Sequence, residues 1–206
     1  LESLRRAGVD VSRVRRAAGR LGLYVLTPPA GAGAVIYDRG GSAFASTPDY
    51  DWPALLEGTG WLHLSGIVPA LGPEMAETGL AAIDAAREAG IRVSFDGNFR
   101  ASLWSRWCAE PGSVLEKYVA GADLLFGNHR DLSLVLGRTL SGETDAERRK
   151  AALEAFGHFP RLAAIAATER KIVTIDHHRL SARIDTRDDS FVSSPIDLAG
   201  VVDRIG

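Results

Sequence analysis

A three-layer α/β/α fold, with a mostly parallel sheet and a small β lid, is the fold class this sequence predicts. Three observations lead to it. From about residue 51 onward, short apolar runs alternate with helical patterns, which implies strand–helix–strand units and a parallel sheet covered on both faces. Several of these runs end in small or polar residues, where open α/β sheets hold their ligands. Residues 19–48 break the alternation and read as a hairpin too exposed in pattern to be central.

The elements follow in order. Residues 1–7 form a helix that Gly8 stops. Residues 21–27 alternate as a strand, Pro28-Pro29-Ala30-Gly31-Ala32-Gly33 is a turn, and residues 34–39 return as a second strand. Residues 61–64 are a short core strand followed by Ser65-Gly66. Pro73 opens a helix that runs to Ala89, with Leu80 and Ile83 at helical spacing and Gly90 as its stop. Strand 91–95, a helix within 112–120, strand 123–126 and a helix from 129 to about 136 come next. Thr144 or Asp145 caps a helix to about residue 156, and residues 162–167 are a buried strand. Residues 171–174 and 180–184 read as antiparallel strands around a polar turn at Asp176-His177-His178. The resulting division is 1–18 as the end of an N-terminal core part, 19–48 as the lid and 49–206 as the α/β core.

Composition narrows the function. The chain has 206 residues, 46% of them apolar, and a formal net charge of -2, which argues against disorder and against a nucleic-acid or anionic-membrane partner. Arg5, Arg6, Arg13, Arg15, Arg16 and Arg20 form a basic cluster, read as a solvated face rather than a phosphate patch. Cys108 is the single cysteine, so there is no intrachain disulfide and no multi-cysteine zinc site, which fits a cytoplasmic protein. No apolar run is long enough to span a bilayer, and no signal-peptide pattern is present. The chain opens at Leu1 inside an apparent helix and closes at Gly206 just after a strand-like run, so the expectation is the middle of a longer protein.

The densest chemistry lies in Asp96-Gly97-Asn98-Phe99-Arg100, directly after strand 91–95. A planar guanidinium forks onto carboxylate or phosphate, so Arg100 either meets a ligand or pairs with Asp96 to close the loop. In the hairpin, Tyr24 and Tyr37 either meet a polyol with ring face and hydroxyl or are ordinary strand aromatics, and Arg39 offers a carboxylate contact. His63 is expected to be a satisfied core histidine. Asn128 is a helix cap as well as a candidate ligand. His177-His178 is expected to be a solvated turn, since no further metal ligands are spaced around it.

The run Ser94-Phe95-Asp96-Gly97-Asn98-Phe99-Arg100-Ala101-Ser102-Leu103-Trp104 resembles the D-x-N-x-R…L-W segment of the ribokinase-like (phosphofructokinase-B type) carbohydrate kinases. Gly22-Leu23-Tyr24 and Tyr37-Asp38-Arg39-Gly40-Gly41-Ser42-Ala43 look like the lid of that family's 2-keto-3-deoxygluconate kinase subgroup. Asn128-His129-Arg130-Asp131 resembles its N-x-x-E motif, with Asp in place of Glu. Val201-Val202-Asp203-Arg204-Ile205-Gly206 resembles the start of D-x-x-G-[AT]-G-D.

The resemblance implies a ribokinase-like fold and ATP-dependent phosphorylation of a sugar acid, with ATP and Mg²⁺ as cofactors. It implies that Tyr24, Tyr37, Arg39, Ile67 and Arg100 contact the sugar acid. It places Asn98, Arg100, Asn128, Thr168 and Arg170 on the nucleotide side, although the family's K-x-G is absent around Thr168. It gives Asn128 and Asp131 to Mg²⁺ through water, and makes Gly206 the start of an anion hole. The family's general base would lie a few residues past Gly206, so no catalytic base is named. A homo-oligomer is the expectation, with the lid hairpin as a dimer edge. A kinase of fructose or ribose, or a catalytically silent sugar-binding protein of the same fold, are the alternatives. A nucleotide-binding module of an unrelated doubly wound fold is disfavoured, because the chain has neither a G-x-G-x-x-G turn nor a P-loop.

Overall fold

The computed structural model describes residues 1–26, 35–38, 41–46 and 49–200. Helix α1 (Glu2–Arg6) is a single short helix, and Gly8 just beyond it has φ +79°. Strands β1 (Leu23–Leu26) and β2 (Val35–Asp38) pair antiparallel as a separate two-stranded sheet, with Tyr24 registered opposite Tyr37. The turn residues 28–33, Arg39 and Gly206 lie outside the described residues. Helix α2 (Trp52–Leu56) begins at Asp51, whose carboxylate accepts the Ala54 N–H at 3.2 Å.

The core then alternates as strand and helix. It runs β3 (Trp61–Ser65), α3 (Ile67–Ala70), α4 (Pro73–Glu88), β4 (Arg92–Asp96), α5 (Ala101–Trp104), α6 (Pro111–Gly121), β5 (Leu124–Phe126), α7 (His129–Val135), α8 (Asp145–His158) and β6 (Ala164–Ile172). It closes with β7 (His177–Thr186), β8 (Ser190–Val192) and β9 (Ile196–Ala199). The main sheet has the order β3-β4-β5-β6-β7, with β8 and β9 end to end on the far edge of β7. Strands β3 to β6 are parallel, as helical crossovers between them require, and β6 to β9 are antiparallel.

One face of the sheet carries the core. Leu62, Leu64, Val93, Phe95, Leu125 and Ile165 pack with Ile83, Tyr118, Leu132 and Ala155 from the helices. Helix α4 buries Met75, Ala76, Gly79, Ala82, Ile83 and Ala86, a stripe at three- and four-residue spacing. Tyr118 of α6 crosses that stripe, and its hydroxyl donates to the Ala76 carbonyl at 2.7 Å. The crossing is so close that a Cβ on Gly79 would lie 2.1 Å from the Tyr118 hydroxyl oxygen. On the opposite face of the sheet Trp61, His63, Phe126 and Ile184 are exposed.

Three sequence expectations need correction. Thr168, Glu169, Arg170 and Lys171 do not follow a strand: they are inside β6, which runs on to Ile172 because its far half pairs with β7. His177 and His178 are not a turn but the first residues of β7, and His178 is 1% exposed, covered where β7 pairs with both β6 and β9. His63 is not a core histidine. It stands on the exposed face, with its ring edge-on to Phe126.

Candidate active site

Parallel register brings Ser65, Asp96, Phe126 and Ala166 into one row across β3 to β6. Glycines 66, 97 and 127 come next after the first three, and each donates its N–H to the neighbouring strand. Gly66 N–H meets the Asp96 carbonyl at 2.7 Å, Gly97 that of Phe126 at 2.9 Å and Gly127 that of Ala166 at 2.9 Å. The strand ends therefore approach closely enough that a Cβ on Gly66 would sit 2.0 Å from the Gly97 carbonyl oxygen. This glycine rim lies at the carboxyl ends of the strands, where ligands of open α/β sheets bind.

The loop beyond β4 is fixed by its own side chains. Asp96 Oδ1 accepts the Asn98 N–H at 3.2 Å, a turn that sets Asn98 at φ +37°, a conformation Asn tolerates better than most residues. Asn98 Nδ2 then donates to Ser65 Oγ at 3.1 Å, so part of its amide is engaged across the rim. Arg100 does not pair with Asp96. Among the described residues its guanidinium bonds only the neighbouring Phe99 carbonyl, at 3.0 Å, and it is exposed. The loop closes through Asp96 and Asn98, and Arg100 remains without an ion pair among the described residues.

Beyond β5, Asn128 and Asp131 form a reciprocal cap on α7. Asn128 Oδ1 accepts the Arg130 N–H at 2.8 Å, and Asp131 Oδ2 accepts the Asn128 N–H at 2.8 Å. The Asp131 carboxylate lies between two rim glycines: a Cβ on Gly97 would lie 3.3 Å from its Oδ1, and one on Gly127 3.2 Å from its Cβ. Burial raises its pKa above the ordinary carboxylate value, the Asn128 N–H opposes this, and the nearby Asp96 charge adds to the rise.

These elements wall a cleft of about 1240 Å³ that holds Asn98, Arg100, Asn128, Asp131 and Thr168 together. A smaller cavity of about 470 Å³ adjoins it, lined by Arg170, Arg148 and Glu143. Asn128, Arg130, Thr168 and Arg183 line both. Tyr24, 56% exposed on β1, and Ile67, half-buried at the start of α3, line neither. Tyr37 is placed by its backbone only, and Arg39 and Gly206 are outside the described residues.

His63 also lines the larger cleft. Trp61 Nε1–H donates to Ser94 Oγ at 2.8 Å, and the same hydroxyl shares a hydrogen bond with His63 Nδ1 at 2.8 Å.

Sequence reasoning gave no role to Arg130 or Arg183. Arg130 sits inside the quoted motif but at a position the motif leaves open. Arg183 lies on β7 and is gripped by Asp185 through Nε–Oδ2 at 2.6 Å and Nη2–Oδ1 at 2.9 Å. The i, i+2 spacing of these two residues on one strand face was the available signal.

A family model described as pfkB family carbohydrate kinase matches residues 1–166. The chain belongs to that family. It is 37% identical over 108 residues to the 2-dehydro-3-deoxygluconokinase of Bacillus subtilis, covering 50% of this chain and 33% of that protein. It is 32% identical over 126 residues to the 2-dehydro-3-deoxygalactonokinase of Haloferax volcanii, covering 61% of this chain and 37% of that one. Among solved structures, the 2-dehydro-3-deoxygluconokinase of Thermotoga maritima superposes with a TM-score of 0.85 at 29% identity, over 95% of this chain and 61% of that one. The matched regions thus span about a third of the curated relatives and about three fifths of the solved structure. The pfkB assignment agrees with the mostly parallel sheet and with the cleft at its carboxyl edge. Among the described residues no helix is long and apolar enough to cross a membrane.

Proposed function

We propose that the protein containing this chain is an ATP-dependent sugar kinase that phosphorylates 2-keto-3-deoxygluconate at its terminal hydroxyl. The observation that carries the reading is the cleft at the glycine rim, where Asn98, Arg100, Asn128, Asp131 and Thr168 meet. Family membership and the two 2-dehydro-3-deoxygluconokinase relatives support it. Residues 49–206 with 1–18 would form the core and 19–48 the lid.

In this reading Arg100 lies between the sugar acid and the transferred phosphate, with a guanidinium not neutralised by any described carboxylate. Tyr24, Tyr37 and Arg39 grip the sugar acid from the lid, and Ile67 gives an apolar contact. Thr168, Arg170 and Asn98 face the nucleotide. Phosphoryl transfer needs positioning and charge stabilisation more than covalent chemistry, which suits a site of amides and guanidinium groups.

Mg²⁺ fits the donors present. Asp96 and Asp131 both line the cleft, and the Asp96 charge raises the Asp131 pKa, a repulsion that a divalent cation relieves. No cluster of three or more acidic, histidine or cysteine ligands occurs among the described residues. Mg²⁺ bound by one or two carboxylates, waters and phosphate oxygens needs no such cluster. Asp131, with Asn128 beside it, would hold the ion through water, and the ion would neutralise phosphate charge.

A second reading is favoured by the Haloferax volcanii relative: the 2-keto-3-deoxygalactonate epimer as substrate. Both acids carry the carboxylate for which Arg39 and Arg100 are proposed. The test is ³¹P NMR of the product formed by the full-length protein from ATP and the sugar acid. A phosphomonoester coupled to terminal methylene protons is expected. ATP hydrolysis to free phosphate with no ester would overturn the proposal.

A further inference from the structure

The cations around the two cavities are not equivalent. Arg183 is neutralised by both oxygens of Asp185 and by Asp145 at 3.3 Å. Arg148 is neutralised by Asp145 and Glu169, each at 3.2 Å. Of the five arginines that line the two cavities, the other three have no ion-pair partner among the described residues. Arg170 lines the smaller one, Arg100 the larger, and Arg130 both.

The wall common to both cavities is where a group leaving one ligand for the other would pass. Asn128, Thr168, Arg130 and Arg183 stand there, and of these only Arg130 offers charge that no described carboxylate neutralises. Its backbone is well fixed, since its N–H is held by Asn128 Oδ1 at 2.8 Å. The preceding His129 is packed so tightly that a Cβ on Gly142 would meet its Nδ1 at 2.1 Å. A fork of N–H donors on a fixed backbone suits two oxygens of one phosphoryl group.

We propose that Arg130 binds the terminal phosphate of the nucleoside triphosphate and holds it during transfer, and so makes the site prefer triphosphate to diphosphate. This rests on the kinase reading above. In the step, the acceptor hydroxyl oxygen forms its bond to the terminal phosphorus as the bond to the bridging oxygen breaks. The diphosphate leaves with that electron pair, and the hydroxyl proton passes to the general base expected beyond Gly206. Arg130 donates hydrogen bonds to the non-bridging oxygens throughout, where negative charge is held in the transition state, and gives up no proton.

The experiment is calorimetric titration of the full-length protein with ATP and with ADP, alongside kcat and both KM values, for wild type, Arg130→Ala, Arg130→Gln and Arg130→Lys. Loss of a charge-assisted contact predicts that Arg130→Ala and Arg130→Gln weaken ATP about tenfold or more while ADP changes little. Turnover falls at least as far, the KM for the sugar acid is unchanged, and Arg130→Lys recovers part of the loss. If Arg130→Gln, or Arg130→Ala, keeps the wild-type ratio of ATP to ADP affinity and the wild-type kcat, the inference is overturned. Should Arg130→Ala fail to fold, the Gln and Lys variants decide in the same way. A wild-type protein that binds neither nucleotide overturns the kinase reading itself, and that result comes before any variant is compared.

Discussion

Asp131 Oδ2 accepts the backbone N–H of Asn128 at 2.8 Å, so a carboxylate that lines the cleft also closes the first turn of α7. The carboxylate is thereby held beneath the glycine rim, next to Gly97 and Gly127. One side chain links the end of β4, the end of β5 and the start of α7.

That position gives Asp131 a pH signature. Burial, with the Asp96 charge adding to it, raises its pKa in the folded protein above the ordinary 3.8, so the native state binds this proton more tightly than the unfolded chain. Its favourable contribution is complete below the ordinary value and is lost as pH rises through the raised one. Wild type should therefore lose stability relative to Asp131→Asn over that window and then run parallel to it. Denaturant melts of both proteins at a series of pH values check this, and a difference that stays flat through the acid range would contradict it.

Arg100 should separate activity from stability. It bonds only the adjacent Phe99 carbonyl and has no ion pair among the described residues, so Arg100→Ala should change stability by no more than about 0.5 kcal/mol. Turnover should fall about a hundredfold or more if the guanidinium meets the transferred phosphate. Thermal melts and steady-state rates on the same preparation decide it. Full activity in a destabilised variant would show the residue to be structural.

Asp185 tests the buried charge network. It is 4% exposed and lies between Arg183, at 2.6 Å, and Arg149, at 3.3 Å. Burial is the largest single influence and acts to raise its pKa, but it is outweighed by the combined Arg183, Ser190 and Arg149 interactions, and the net shift is downward. Its stabilisation is therefore present above the ordinary value and lost as pH falls through the lowered one. Asp185→Asn leaves two guanidinium groups short of a counter-charge and should cost on the order of 3 kcal/mol near neutral pH. The denaturation midpoint is the measurement, and an unchanged midpoint would contradict the assignment.

Gly79 provides a packing test. In an exposed helix interior, replacing Gly by Ala stabilises by about 1 kcal/mol. Here the new Cβ would lie 2.1 Å from the Tyr118 hydroxyl oxygen and 2.9 Å from two of its ring carbons. Gly79→Ala should destabilise by about 1–3 kcal/mol through overpacking, with the Tyr118–Ala76 hydrogen bond disrupted. A gain in melting temperature would contradict the close α4–α6 crossing.

The parallel half of the fold was legible because each buried strand is a short apolar run bounded by glycine or polar residues. Strands β3, β4 and β5 and helix α4 stand within a residue or two of where the pattern puts them. The antiparallel half was harder to read. Thr168 to Arg170 look like a loop by composition, yet they extend β6 because β7 supplies their hydrogen bonds, and no local pattern reports a pairing partner. His178 reads as a turn residue beside Asp176, and only the pairing of β7 with both β6 and β9 buries it. Strands β8 and β9 are short and largely exposed, too weakly patterned to be read from the sequence.

In the site, the Asp96–Arg100 loop and the Asn128–Asp131 motif were visible because each follows an apolar run. What the sequence hid was which charges remain unneutralised. Arg183 and Arg130 look alike in the chain, and only the tertiary position of Asp185 and Asp145 separates them.

The central claim is tested most directly by ADP release from the full-length protein with Mg-ATP and a panel of 2-keto-3-deoxygluconate, 2-keto-3-deoxygalactonate, gluconate, fructose and ribose. The account predicts turnover with one or both 2-keto-3-deoxy acids and little with the neutral sugars. Turnover confined to fructose or ribose would contradict the sugar-acid reading, and none with any of the five would contradict the kinase reading in favour of a silent sugar-binding protein.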